Sequence, residues 1–220
     1  MSQTDPTGVF EEVSEMDSSS IPRPMVPMIV VSDSPEHDPN VMAASWWMVA
    51  GYRPFRFLLA VDQYTHTHEI IETNPEFVLA VPTTEMVDVL TVAGKLSGAD
   101  VDKFEELGLE TVPGQGVDVP LLADAAGNIE CSVMESFAFE GTTYYFGSVE
   151  HAYVVPGGMD GRIVSPAADV LANLGSDWAD EDDDLKTRYY VDVSEDDVAS
   201  VSGEQILQGL SATLQEKLRE

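Results

Sequence analysis

Short apolar runs separated by turn residues dominate residues 25–155. Residues 25–31 read as an apolar strand, and its Pro27 predicts a sheet edge or a bulge. A turn over 32–40 holds two prolines and three acids, and a second strand follows over 41–49. Side chains alternate across a sheet, so Trp46 and Trp47 are expected to face opposite ways. Residues 51–54 turn the chain into a buried strand, Phe57-Leu58-Leu59-Ala60-Val61. Thr65 or Thr67 can cap a short helix that reaches Glu72. A strand over 77–81 leads into a helix opened by Thr83, with Met86, Val87, Leu90 and Val92 roughly on one side. A helix over 100–107 ends at Gly108, and a loop covers 111–120. Alternation at Ile129, Cys131 and Val133, then at Tyr145, Gly147 and Val149, predicts a long hairpin of 128–139 and 142–155 across Glu140-Gly141. Residues 156–161 break the chain, and 165–173 read as a short helix.

The ends read differently. Residues 1–20 are a polar, acidic, serine-rich arm with room for one short helix near 9–16. The acid run at 180–184 opens an expected linker over 180–203; it lacks the spacing of a calcium loop. Over 204–220, Leu207, Leu210, Leu214 and Leu218 make one apolar stripe, and Lys217 and Arg219 suit the end of a helix. The fold class this predicts is mainly β with α (α+β): an arm (1–20), a domain (21–179), the linker (180–203) and an added C-terminal helix (204–220).

Charge narrows the partners. Forty acids face ten bases, for a net charge of −30. Such a surface repels nucleic acids and anionic membranes. No apolar run approaches the ~20 residues of a membrane span, the first residues lack a signal-peptide pattern, and the single Cys131 forms no intrachain disulfide. From these features the expected location is the cytoplasm. Cys131 sits in an alternating strand, as a buried thiol would. The acids are spread along the whole chain, which reads as adaptation to high salt, where screening removes self-repulsion. Refolding is therefore expected to demand molar salt; full stability in dilute buffer, measured by thermal melts across a salt series, would refute this.

Candidate chemistry gathers at residues 39–49 and 63–72. Small residues (Ala43, Ala44, Ser45) beside Trp46 and Trp47 suit a backbone approached by something planar, with Asn40 and Thr67 offering hydrogen bonds. Those residues alone fit an ordinary hairpin with core tryptophans equally well. The helix start at Thr65, His66 and Thr67 is a natural seat for a phosphate. His66 and His68 are too few for a metal, none of which is expected, and His68 is read as facing solvent. Gly94-Lys95 lacks the rest of a P-loop, and no GxGxxG occurs. Lys103, among Asp100, Asp102, Glu105 and Glu106, is either a surface ion pair or a cation for a ligand.

Five segments in order, N-V-M-A-A-S-W (40–46), T-H-T-H-E-I-I (65–71), E-F-V-L-A-V-P (76–82), D-K-F-E-E-L-G-L (102–109) and I-E-C-S-V (129–133), resemble the flavin reductase-like, flavoredoxin-type family of FMN-binding split barrels. The resemblance runs over about 23–155. It implies a split β-barrel with peripheral helices, forming a homodimer with FMN bound non-covalently near the interface. By the family pattern, Asn40 and Trp46 lie beside FMN, with Ala44 and Ser45 in the same stretch, and Lys103 serves the flavin or its phosphate. Where the family ends its last strand with a histidine near the flavin, this chain has Tyr153. Trp178 falls where a closing aromatic can cover the cofactor.

Flavin would carry the chemistry, with NADH or NADPH as donor, so no catalytic side chain is expected. Three readings follow: an FMN-dependent NAD(P)H:flavin oxidoreductase, a flavoredoxin-type electron-transfer protein reduced by a protein partner, and a flavin-binding barrel without turnover.

Overall fold

The computed structural model describes residue 18 and residues 21–161, 163–164, 169–176, 188–192, 198–201 and 211–219. The chain runs β1 (Met28–Ser34), β2 (His37–Ala44), β3 (Trp47–Tyr52), β4 (Phe55–Asp62), α1 (His66–Thr73) and β5 (Glu76–Val81). A single 3-10 turn, Thr84–Met86, leads into α2 (Val87–Lys95) and α3 (Lys103–Leu107). Then come a small ladder, β6 (Thr111–Val112) and β7 (Leu121–Leu122), and the long hairpin β8 (Gly127–Phe139) and β9 (Thr142–Val154). A two-stranded ladder, β10 (Met159–Asp160) and β11 (Ile163–Val164), precedes β12 (Leu171–Ser176), β13 (Arg188–Asp192), β14 (Val198–Val201) and α4 (Ala212–Arg219). No described helix is long and apolar enough to cross a membrane.

Seven strands form one antiparallel sheet in the order β2-β1-β5-β8-β9-β4-β3. Its two edges, β2 and β3, are consecutive in the chain and joined only by Ser45 and Trp46. Laid flat, six strand spacings would separate the edges by about 29 Å. Three Cα steps span at most about 11 Å. The sheet must therefore curl until its edges nearly meet, yet the strand order contains no ladder between β2 and β3. The result is a split barrel whose seam is Ser45-Trp46.

Two-residue periodicity sorts the core. On β1 and β5, Ile29, Val31, Val78 and Ala80 pack outward against Val89, Leu90 and Ala93 of α2. Their neighbours Met28, Val30, Phe77 and Leu79 pack with Leu59, Cys131 and Tyr145 in the other cluster. Strands buried on both faces read as continuous apolar runs, as these do. Cys131 is fully buried, and burial pushes its thiol up to about 12, so it is packing rather than a nucleophile. The β8–β9 hairpin turns where expected: Glu140 (φ 46°) and Gly141 (φ 86°) both take the left-handed region that a two-residue hairpin turn needs.

Several expectations need correction. β1 is an interior strand between β2 and β5, with Pro27 just ahead of it, so the proline neither marks an edge nor interrupts the ladder. β2 begins at His37, inside the expected turn, and the expected strand over 41–49 breaks at the seam. The helix expected over 165–173 gives way to a strand at its end, Leu171–Ser176, with 165–168 outside the described residues: Leu171 N–H donates to Pro82 O at 3.3 Å, and Val170 bridges Thr83. The expected linker carries β13 and β14, which extend β12 into a three-stranded sheet. The helix near 9–16 lies outside the described residues, as does the first half of the C-terminal helix expected over 204–220.

Candidate functional site

Between β2, the start of α1 and the end of α2 lies a cavity of about 310 Å³. Three segments and one lysine line it: Asn40, Met42 and Ala43; Asp62 and 64–67; 93–98; and Lys103.

The α1 segment is held by its own cap. Thr65 Oγ1 donates to Asp62 O at 2.8 Å and accepts from His68 N–H at 3.3 Å. A helix leaves its first N–H groups without partners inside the helix. Here that first turn, His66 and Thr67, borders the cavity. His66 Nδ1 lies 3.1 Å from Glu69 Oε2, and its ring meets His37 edge-on at 5.1 Å. Asp62 also faces the cavity, with its oxygens occupied: Oδ1 accepts from Thr142 Oγ1 at 2.8 Å and Oδ2 from the Tyr64 hydroxyl at 3.1 Å.

Asn40 is 3 % exposed. Its Nδ2 donates to Thr67 Oγ1 at 2.9 Å, while its Oδ1 is buried without a hydrogen-bond partner. Turning the amide over would exchange the two atoms but still leave one without a partner. A buried polar atom left in this state costs roughly 1–3 kcal/mol, which a ligand hydroxyl or N–H would offset.

Lys103 is buried as well, at 3 % exposure. Neither sequence reading placed it there: it forms no ion pair with the acids around it in sequence. Asp102 instead caps α3, accepting from the N–H groups of Phe104 and Glu105 at 3.0 Å. The Lys103 ammonium donates to Val41 O at 2.5 Å and to Leu96 O at 3.0 Å. An ammonium carries three N–H donors, so one remains for the cavity. Burial lowers its pKa to about 8.

The structure thus brings together Asn40, Thr65, His66, Thr67 and Lys103. It does not bring in the others. Ala44 is buried in the barrel-side cluster, and Ala43 lines the cavity in its place, because alternation turns neighbouring residues to opposite faces. Ser45 and Trp46 sit on the seam, off the cavity wall, with the Trp46 side chain 64 % exposed. Trp47 is the core tryptophan, donating from Nε1 to Val26 O at 2.9 Å and packing on Phe57. Tyr153 pairs with Asn128 near the end of β9, stacks on His151, and lines different hollows with Gly127 and Val154. Trp178 lies outside the described residues. His68 does not face solvent: it is half-buried, with Nε2 3.1 Å from Thr143 Oγ1. Among the described residues, no three His, Cys, Asp or Glu side chains group to hold a metal.

Sequence reasoning missed the 93–98 segment. Gly94-Lys95 drew attention only as a failed P-loop; the useful signal was a G-K-L-S-G stretch of small and polar residues closing a helix. Gly98 approaches so closely that a Cβ there would lie 2.7 Å from Asn40 Cγ and 3.0 Å from His66 Cδ2.

A family model described as "Flavin reductase like domain" matches residues 19–167. A protein of Archaeoglobus fulgidus is 35% identical over 113 residues, a match spanning 51% of this chain and 64% of that relative's length. Flavoredoxin from Methanosarcina acetivorans superposes with a TM-score of 0.68 at 22% identity, over 86% of this chain and 95% of that one. An FMN-binding protein from Thermus thermophilus gives 0.64 at 21% identity, over 76% and 90%. At these identities the structural likeness is one of fold.

Proposed function

The chain belongs to the flavin reductase-like family, and from that premise we propose that its cavity binds FMN and that it passes electrons from NADH or NADPH to free flavin or another acceptor. The observation that carries the reading is the Asn40 amide, buried and half-satisfied beside a buried ammonium.

The donor set fits a phosphorylated, hydroxyl-rich ligand. The first turn of α1 and Lys103 supply N–H donors and positive potential for a phosphate, in a protein whose charge is otherwise strongly negative. Asn40 Oδ1 accepts from a ligand hydroxyl or N–H. Ala43 and Gly98 keep the wall low enough for close approach. When bound, FMN would supply the hydride and electron chemistry, so the reading requires no side-chain nucleophile or base. The chain's residues bind, orient and hold charge. Trp46 and Trp178 remain proposed flavin neighbours from the family pattern alone, whereas Tyr153 lines other hollows.

A homodimer is part of this reading. Its support is the apolar surface on β3, β4 and the hairpin tip: Met48, Tyr52, Phe55, Met134, Phe137 and Phe139 are all exposed. Patches of this kind mark association sites.

The test is a visible spectrum of the protein purified in ~2–4 M salt, where its acidic surface is screened, before and after NADH and then NADPH. Flavin absorbance that bleaches with either donor is the expected result. Flavin that stays oxidised would remove the nicotinamide step in favour of reduction by a protein partner. Protein that takes up no added FMN would overturn the reading. Sedimentation of the same sample should give twice the 23.9 kDa chain mass; a monomer would refute the dimer.

A further inference from the structure

The C-terminal helix packs against the end of α2 and the segment after it, which line one side of the cavity. Residues 96–102 link α2 to α3, and α3 has only five residues. A helix that short is not stable alone, because nucleation outweighs what so few residues return. Packing must therefore decide where this segment sits. β2, α2 and the main core supply part of that packing, through Phe104 and Leu107, and α4 adds a second contact from the outside. Leu214 is fully buried in a cluster with Val92 of α2 and Val101, with Leu96 and Leu107 against it. Two polar contacts flank the apolar one: Ser211 Oγ donates to Glu106 Oε2 at 2.9 Å, and Lys217 Nζ donates to Asp100 O at 2.6 Å. α4 thus touches α2, the linking segment and α3 at once.

Leu96 connects this contact to the site. Its side chain packs in the Leu214 cluster, its carbonyl accepts from Lys103, and it lines the cavity with Ser97 and Gly98. We propose that α4 is a positioning element for the ligand site: Leu214 holds the 96–103 segment in register so that Lys103 and Gly98 stand where the ligand requires them. Leu214 itself touches no ligand. The inference rests on the FMN reading above.

The experiment uses the full chain. FMN affinity, by quenching of flavin fluorescence, and apo melting temperature are measured for wild type and for Leu214→Met, Leu214→Val and Leu214→Ala. Because substitutions that act through a packed neighbour shift coupling by a few-fold to tens-fold, Leu214→Ala is expected to raise the FMN Kd about tenfold. Leu214→Val should fall between it and wild type, and Leu214→Met, which conserves volume, should restore binding to within about twofold. Leu214→Val also serves if the alanine variant does not fold. Val149→Ala, in the barrel-side cluster, is the control: it should lower the melting temperature with no change in Kd. Equal affinity across the Leu214 series, or an equal loss in Val149→Ala, would overturn the proposal. Failure of wild type itself to bind FMN would instead remove the reading beneath it.

Discussion

Lys103→Met is expected to weaken FMN binding by about 10–100-fold, because a hydrogen bond to a charged group contributes roughly 1.5–3 kcal/mol. The apo protein should hardly notice. The lowered pKa shows that burying this ammonium is unfavourable, and methionine fills much the same volume without that charge. Against this gain, Val41 O and Leu96 O lose their donor. The two effects oppose, so the melting temperature should move by less than about 5 °C. A lysine kept for stability would behave the other way: a large drop in melting temperature with affinity intact.

The pH dependence follows from the same group. In the ligand-free protein Lys103 loses its proton as pH rises through about 8, below its ordinary 10.5. A bound phosphate favours the charged form and draws the pKa back up. Affinity should therefore be flat from neutral pH to about 8 and fall above it, where the proton must be taken up on binding. Lys103→Met should show no such fall. Fluorescence titrations at several pH values in both proteins check this; parallel curves would remove Lys103 from the site.

Gly98→Ala should be nearly as damaging, by a different route. The backbone of Gly98 is not left-handed, so alanine meets no conformational obstacle; the obstacle is space. The new methyl would press on the Asn40 side chain and on His66 Cδ2. Asn40 cannot swing aside freely, because it is buried and tied to Thr67. Overpacking of this kind costs about 1–3 kcal/mol of stability. Because the displaced group is the proposed ligand acceptor, FMN affinity should drop by up to about tenfold for the one hydrogen bond lost. Adding Asn40→Ala to Gly98→Ala should recover the melting temperature without recovering affinity. Recovery of both would show that the clash, and not Asn40, matters for binding.

Much of this molecule was legible one segment at a time. Alternation along 128–155, with Glu140-Gly141 between, specified a hairpin because strand period and turn chemistry are both local. A cap at Thr65 or Thr67 was legible for the same reason, and the structure uses Thr65; the cap at Asp102 was not, because the helix expected over 100–107 begins only at Lys103. Five residues of the site were found by combining a helix start with a family pattern. Packing, in contrast, links residues far apart: Asn40 meets Thr67, Lys103 reaches back to Val41, and Leu214 comes to rest on Val92. No local period encodes those partners.

The sequence by itself therefore determined the long hairpin, the buried strands beside it and the cap of α1, while the family resemblance joined Lys103 and the start of α1 into one proposed site. Only the tertiary structure decided that the second strand breaks at Ser45-Trp46, because closing the barrel needs a corner there. It turned Ala43 rather than Ala44 to the cavity, placed Tyr153 elsewhere, and buried Lys103 against two carbonyls. It also brought the 93–98 segment in as a wall. Each of these outcomes depends on which surfaces meet when the sheet curls, and that is a property of the whole chain, not of any segment within it.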